Sequence, residues 1–438
     1  MFLYNLRLAR LSLMKQPLLT GLMVLAIGVG VGACMTILTF VYSLTSDPIP
    51  EKSDQLFAVR LDSWGPDEPY DDRRPDEAPW QLTHADAMAL LESPVPTRHA
   101  AMRKAVFTAV PENRDVAPFL TLSRMTGGAF FDMFNVPFLF GGTWDEDADR
   151  NAENVVVLSK ETNDSLFGGE NSVGREARFG DDVFRVVGVI DEWQPIVLYY
   201  DVNNGPNNDV EDVFMPYTIG DRREIDMSGN VNCWKDEQID TYFDLMQSEC
   251  VVTQFWAELE NEAQVAEYQS WLDRYTEGQK ALGRFERPTN NRLSTVTEYM
   301  KIREVAADEI LVVMSIGVLF LAACMFNTIG IILARFIAKA PVIGLRRALG
   351  ASKAAIFRQH LVEVGVVGLA GGILGLLLSM LGLAGVRAML SDGDRAAHLN
   401  LELVLIAIVI AVSSAIIAGL YPTWRICQLA PAGYLKTQ

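Results

Sequence analysis

The sequence predicts an α-helical membrane protein with four transmembrane helices, arranged one plus three. A large α/β extracytoplasmic domain is inserted between the first and the second. Three observations carry this fold class. Four runs contain no charged residue: 16–46, 310–334, 364–386 and 403–424. A helix rises about 1.5 Å per residue, so ~20 residues cross a hydrocarbon core of ~30 Å, and every run is long enough. The basic residues are also one-sided. Residues 1–16, 335–360 and 423–438 together hold eleven Lys and Arg and no acid, and the positive-inside rule assigns them to the cytoplasm. Residues 44–308, by contrast, hold 24 basic and 50 acidic side chains among short β-branched runs, which describes a folded domain on the opposite side. The net charge of −18 is thus a basic inner face set against an acidic outer domain. A soluble enzyme, a nucleic-acid binder and a disordered acidic scaffold are excluded.

The elements follow in order. Residues 1–16 place Leu3, Leu6, Ala9 and Leu13 along one helical face beside Arg7 and Arg10, as in a cytoplasmic amphipathic helix. Gln16-Pro17 turns the chain into the first span, 17–45. Within it Val31-Gly32-Ala33-Cys34 resembles a lipoprotein processing site. The apolar run continues through Leu44, however, well past the roughly 7–15 residues of a signal core, so the segment reads as a retained helix.

Residues 46–308 read as mixed α/β. Leu56–Leu61, Asn154–Leu158, Asp182–Ile190 and Glu249–Leu259 are strand-like. Thr83–Leu91 reads as a helix capped by Thr83, and 262–275 as an amphipathic helix. The Pro- and Asp-rich stretches 62–79 and 201–212 read as exposed loops. The pattern implies a subdomain at about 128–247 inserted in a discontinuous one at about 46–127 and 248–305. Cys233 and Cys250 both fall outside the membrane, where they could form one bridge closing an acidic loop or stand as two buried thiols. The bridge is favoured, because no metal-ligand partner lies nearby.

The later spans are 309–334, 361–387 and 402–422, with a short periplasmic loop at 388–401 and a cytoplasmic tail at 423–438. The third span carries Gly368-x-x-x-Gly372 and Gly371-x-x-x-Gly375, which let helices approach closely, as an intramolecular seam or a dimer contact.

Signals of catalysis are absent. The four histidines, at 84, 99, 360 and 398, form no H-E-x-x-H, and no phosphate-binding G-x-x-x-x-G-K-[ST] or G-x-S-x-G elbow occurs. No catalytic, cofactor-binding or metal-binding residue is assigned. The charge-free spans offer no polar path for a substrate. The densest cytoplasmic feature is Ile343-Gly344-Leu345-Arg346-Arg347-Ala348-Leu349-Gly350-Ala351-Ser352, within the segment 335–360. It reads as a short helix capped by Gly350, with Ser352 capping the next. Topology alone needs arginines but no such order of Gly, Leu, Ala and Ser, so docking of a soluble partner is the favoured reading.

That stretch, IGLRRALGAS, resembles the coupling segment of MacB/FtsX-like ABC transporter permeases. The likeness runs along nearly the whole chain. Asn5-Leu6-Arg7 resembles the family's N-terminus. Thr126–Phe134, Gly141-Gly142, Val155–Ser159, Leu166-Phe167-Gly168, Val186–Val189 and Val213–Pro216 resemble its MacB-type periplasmic core domain. Leu420–Arg425 and Leu429-Ala430-Pro431-Ala432 resemble its C-terminal signature. The resemblance implies a mechanotransmission permease in a bacterial inner membrane, with both termini cytoplasmic and a porter-like part in the discontinuous subdomain. It implies a second permease, same or homologous, and a cytoplasmic ABC ATPase dimer that binds ATP and Mg, with no cofactor on this chain. It also implies a periplasmic adaptor and an outer-membrane channel, in a tripartite efflux system that expels substrate from the periplasm. An envelope regulator or lipoprotein-releasing permease of the same superfamily is the alternative. Family members with a fused ATPase carry it N-terminally, and this chain starts almost directly with a span, so the ATPase is expected as a separate polypeptide. Val342 stands where the family usually has Glu, after Pro341, and Ala430 replaces a usual acid. These departures fit one half of an unequal permease pair.

Overall fold

The structure is a computed structural model and describes residues 2–389 and 401–428, apart from positions 112, 114, 207 and 306. Four of its helices are long and apolar enough to cross a membrane, over Pro17–Tyr42, Ile310–Ala348, Lys353–Gly385 and Val404–Arg425. The chain divides into two units: Asp47–Val305, and the helical segments on either side of it. Helix α1 (Phe2–Met14) buries Ala9 and Leu13 and exposes Arg7, Arg10 and Leu11. Pro17 then opens α2 (Pro17–Thr45), at a position where its missing N–H removes no helical hydrogen bond.

The unit Asp47–Val305 is built on an eleven-stranded sheet. Its strands are β1 (Leu56–Arg60), β2 (Leu82–Thr83), β3 (Arg98–Val110), β4 (Phe119–Thr126), β5 (Phe138–Gly141), β6 (Val155–Leu158), β7 (Glu176–Phe179), β8 (Asp182–Ile190), β9 (Val213–Pro216), β10 (Val251–Glu258) and β11 (Arg292–Thr295). The helices between them are α3 (His84–Leu91), α4 (Ala129–Met133), α5 (Glu146–Arg150), α6 (Lys160–Phe167), α7 (Ile219–Arg223), α8 (Tyr242–Gln247), α9 (Glu262–Ala281) and α10 (Val296–Ile302). The strand order is β11-β1-β10-β3-β4-β9-β6-β8-β5, with β2 on β10 and β7 against both β3 and β8. One half of the sheet comes from the flanks of the sequence and the other from its middle. Parallel pairing of β4 with β9, from Ser123 opposite Val213 to Thr126 opposite Pro216, joins the halves.

Each half has its own core. Phe57 and Val59 of β1, Ala101 of β3 and Phe255 of β10 pack with Tyr268 and Leu272 of α9. Val156 and Leu158 of β6, Phe184 and Val186 of β8, and Val213 and Met215 of β9 form the other. Strand β10 is buried along its whole length, which explains why VVTQFWAE shows no polar alternation. Helix starts are set locally: Thr83 accepts the Asp86 N–H at 3.1 Å, and Thr295 with Glu298 forms a capping box.

Two expectations need correction here. The stretch 201–212 is not an exposed loop throughout. Asp201 and Glu211 are fully buried, both bonded to the Arg124 guanidinium on β4, with Lys104 Nζ of β3 at 3.8 and 3.5 Å from their carboxylates. Burial raises the Asp201 pKa, while Arg124 and then Lys104 outweigh burial at Glu211 and hold it below its ordinary value. Acid-rich composition reads as solvated until the buried cations that need those acids are placed. Within 62–79, Asp62 and Ser63 are likewise buried, and Asp62 accepts from Asn290 Nδ2 at 3.2 Å.

The remaining helices are α11 (Ala307–Ala348), α12 (Lys353–Met389) and α13 (Leu401–Cys427). The expected loop 388–401 falls largely outside the described residues, as do 429–438 with the Leu429-Ala430-Pro431-Ala432 motif. Helix α12 packs between α2 and α13. A Cβ on Gly368 would lie 2.6 Å from Ala415 Cβ, and one on Gly372 2.9 Å from Ala411 Cβ, both on α13. A Cβ on Gly371 would meet Ile27 Cγ2 at 2.7 Å, and one on Gly375 Val31 Cγ1 at 2.9 Å, both on α2. The two small-residue motifs, offset by three positions, therefore serve two different intramolecular contacts.

Candidate functional site

The expected coupling residues form the turn between α11 and α12. The sequence led to an expected short helix of their own. Instead α11 runs unbroken for 42 residues through Pro341 to Ala348, about 63 Å at helical rise. Proline removes one helical hydrogen bond but does not stop a helix whose neighbours hold it. Gly350, at φ +96°, ends the helix: its own N–H and that of Ala351 close back on the Arg347 and Arg346 carbonyls. Ser352 Oγ then accepts the Ala355 N–H at 3.2 Å and starts α12.

Within this turn Ile343 and Gly344 are buried, and Arg347 and Ala351 are half-buried. Leu345, Arg346, Ala348, Leu349, Gly350 and Ser352 are exposed. Leu349 is 80% exposed, and with Leu345 and Val342 it makes an apolar stripe at i, i+3 and i+7. Arg346 Nη1 donates to Gln359 Oε1 of α12 at 2.8 Å, so one guanidinium ties the two arms together while staying at the surface. Exposed leucines beside arginines form a chemistry suited to a protein partner. Among the described residues, no group of three or more His, Cys, Asp or Glu side chains could hold a metal ion.

The helix-packing glycines Gly368, Gly371, Gly372 and Gly375 lie farther along α12, and the structure does not bring them to this turn. Cys233 and Cys250 are bonded to each other in the other unit, joining the segment before α8 to the start of β10.

One cluster was missed by sequence reasoning. Glu363 reads as a span edge, and Arg335, Lys339 and His360 as part of the cytoplasmic segment 335–360. They converge, with Ser12 of α1, into a buried knot of ion pairs. The available signal was that Arg335 and Glu363 bound the runs 310–334 and 364–386 immediately, at facing ends of helices joined by a short turn.

Comparison with known families now decides what this architecture is. Residues 20–275 match the MacB-like periplasmic core domain, and residues 314–431 match the FtsX-like permease C-terminal region. The chain belongs to the MacB/FtsX-like permease family. Among relatives of this MacB/FtsX-like chain, the macrolide export ATP-binding/permease protein MacB of Acinetobacter baylyi is 24% identical over 82% of this chain and 48% of its own length. The protein of the same name from Vibrio parahaemolyticus is 23% identical over 87% of this chain and 52% of its own. The chain thus spans about half the length of these relatives. The periplasmic region of MacB from Actinobacillus actinomycetemcomitans aligns over 58% of this chain and 95% of that one, with 17% identity and a TM-score of 0.36. The turn between α11 and α12 and the knot residues Arg335, Lys339, His360 and Glu363 lie inside the FtsX-like match; the disulfide lies inside the MacB-like one.

Proposed function

We propose that the chain is the permease subunit of an ABC exporter that transmits ATP-driven motion to its periplasmic domain. A separate cytoplasmic ATPase dimer, which carries ATP and Mg, docks on the α11–α12 turn. The observation that carries this reading is the continuity of α11. One unbroken helix begins two residues after the domain's last residue, Val305, and ends in the exposed turn with Leu345, Arg346 and Leu349. A docked ATPase therefore pushes on the same rigid element that leaves the periplasmic domain. Helix α2 enters that domain equally directly, ending at Thr45 before Asp47.

The apolar packing between the spans adds support. Its core includes Met23, Ile27, Val31, Val364, Val367 and alanines of α13, which hold the helices against one another. Substrate is then moved on the periplasmic side, with a second permease, an adaptor and an outer-membrane channel completing a tripartite system.

The test is a double substitution, Arg346→Glu with Arg347→Glu. The full chain is reconstituted with the ABC ATPase that co-purifies with the tagged wild type. Binding of the ATPase falls at least about tenfold, ~1.4 kcal/mol, and stimulation of hydrolysis is lost, while membrane insertion persists. Unaltered stimulation would remove the docking assignment.

A further inference from the structure

We infer that Glu363 is a positioning residue that pins the amphipathic helix α1 to the coupling hairpin, so that α1, α11 and α12 move as one body. The inference rests on the coupling function proposed above. The Glu363 side chain is 3% exposed, and its Oε1 receives Arg335 Nη2 at 2.6 Å, Lys339 Nζ at 3.0 Å and Ser12 Oγ at 2.9 Å. Its Oε2 faces His360 Nδ1 at 3.3 Å. Ser12 is held from two directions: Arg335 Nη2 donates to its carbonyl at 3.0 Å, and Lys339 Nζ donates to its hydroxyl. Arg335 Nη1 reaches Thr20 Oγ1 of α2 at 3.4 Å.

One carboxylate therefore holds two cations of α11 and a hydroxyl of α1. Without its charge, buried Arg335 and half-buried Lys339 are left facing each other, which costs far more than one lost hydrogen bond. The knot lies eleven residues before Arg346 on one arm's far side and eleven after Ser352 on the other, about 16 Å of helix from the exposed turn. Apolar contacts such as Leu13 against the bundle permit sliding. Bonds from two helices to one carboxylate fix both register and rotation.

The test uses the full chain in lipid nanodiscs, with Cys34, Cys324 and Cys427 changed to Ala and spin labels on Leu11→Cys and Leu349→Cys. Without ATPase or nucleotide, Glu363→Gln roughly doubles the width of the label-to-label distance distribution, and Glu363→Asp restores it. Ser12→Ala, which keeps every charge, also widens it, and serves should the Gln variant fail to insert. A width unchanged in Glu363→Gln and Ser12→Ala overturns the pin, whatever the ATPase does. With the co-purified ATPase bound, an environment-sensitive probe at Leu11→Cys responds to ATP in the wild type, and that response falls several-fold in Glu363→Gln although the ATPase still binds. If the wild-type probe ignores ATP while Glu363→Gln still widens the distribution, the coupling reading fails and the pin stands.

Discussion

Asp149 shows how one residue is remade by its surroundings. It sits in the run DEDADR, where every acid reads as a solvated surface group. In the fold its carboxylate accepts Trp144 Nε1 at 2.6 Å and the Gly128 N–H at 2.8 Å. Gly128 is needed for that approach, since a Cβ there would lie 2.4 Å from the Trp144 carbonyl oxygen. Burial, against those two hydrogen bonds and helped by Glu146 and Asp145, pushes its pKa from 3.8 up to about 6. A raised carboxyl binds more protons folded than unfolded. Its contribution is therefore full below the unfolded value and is lost as pH rises through the folded one, from about pH 4 to about pH 6. Asp149→Asn has no proton to titrate. Thermal unfolding of the full chain should show the wild type losing stability relative to Asp149→Asn between about pH 4 and about pH 6. Parallel pH profiles would contradict the assignment. The sequence held the acid but not its burial, because Trp144 and Gly128 meet it only after β5 and α5 are in place.

At the scale of elements, spacing was legible and partnership was not. The offset glycine motifs predict close helix approach, yet a seam and a dimer contact share the same sequence. The structure assigns Gly368 and Gly372 to α13 and Gly371 and Gly375 to α2. Gly365, on the same helix, has nothing within 4 Å of an added Cβ. Gly368→Ala should therefore destabilise the helical unit by about 1–3 kcal/mol through overpacking. Gly365→Ala should be neutral or gain up to ~1 kcal/mol of helix propensity. Thermal unfolding of the two variants in detergent checks this, and equal effects would rule out the assigned seam. The turn between α11 and α12 teaches the same lesson in the other direction. The expected short helix is the end of α11, which continues through Pro341 while packed along α2 and α13. Glu363 was visible as the last charge before a span. Its partners were not, because Ser12 is 351 residues away in sequence.

At the scale of the whole molecule, the two units are separable in their chemistry. The disulfide Cys233–Cys250 closes a 17-residue separation within Asp47–Val305. Cys233→Ala with Cys250→Ala should cost that unit about 2–4 kcal/mol by freeing the unfolded loop. Seven of the eight tryptophans lie between 64 and 271, so tryptophan fluorescence during denaturation follows this unit, and an unchanged midpoint would show that the bridge is dispensable. By itself the sequence determined the membrane class, the number of spans and the acidic domain between the first two. Each of these follows from charge-free length or local pattern, which are properties of neighbouring residues. Tertiary structure alone decided that Asp201 and Glu211 are interior, that the glycine motifs face two helices, and that Glu363 gathers Ser12, Arg335 and Lys339. These are meetings of residues far apart in the chain. A buried charge is stable only beside its counter-charge, so its place is set by the partners that folding delivers, not by the segment that carries it.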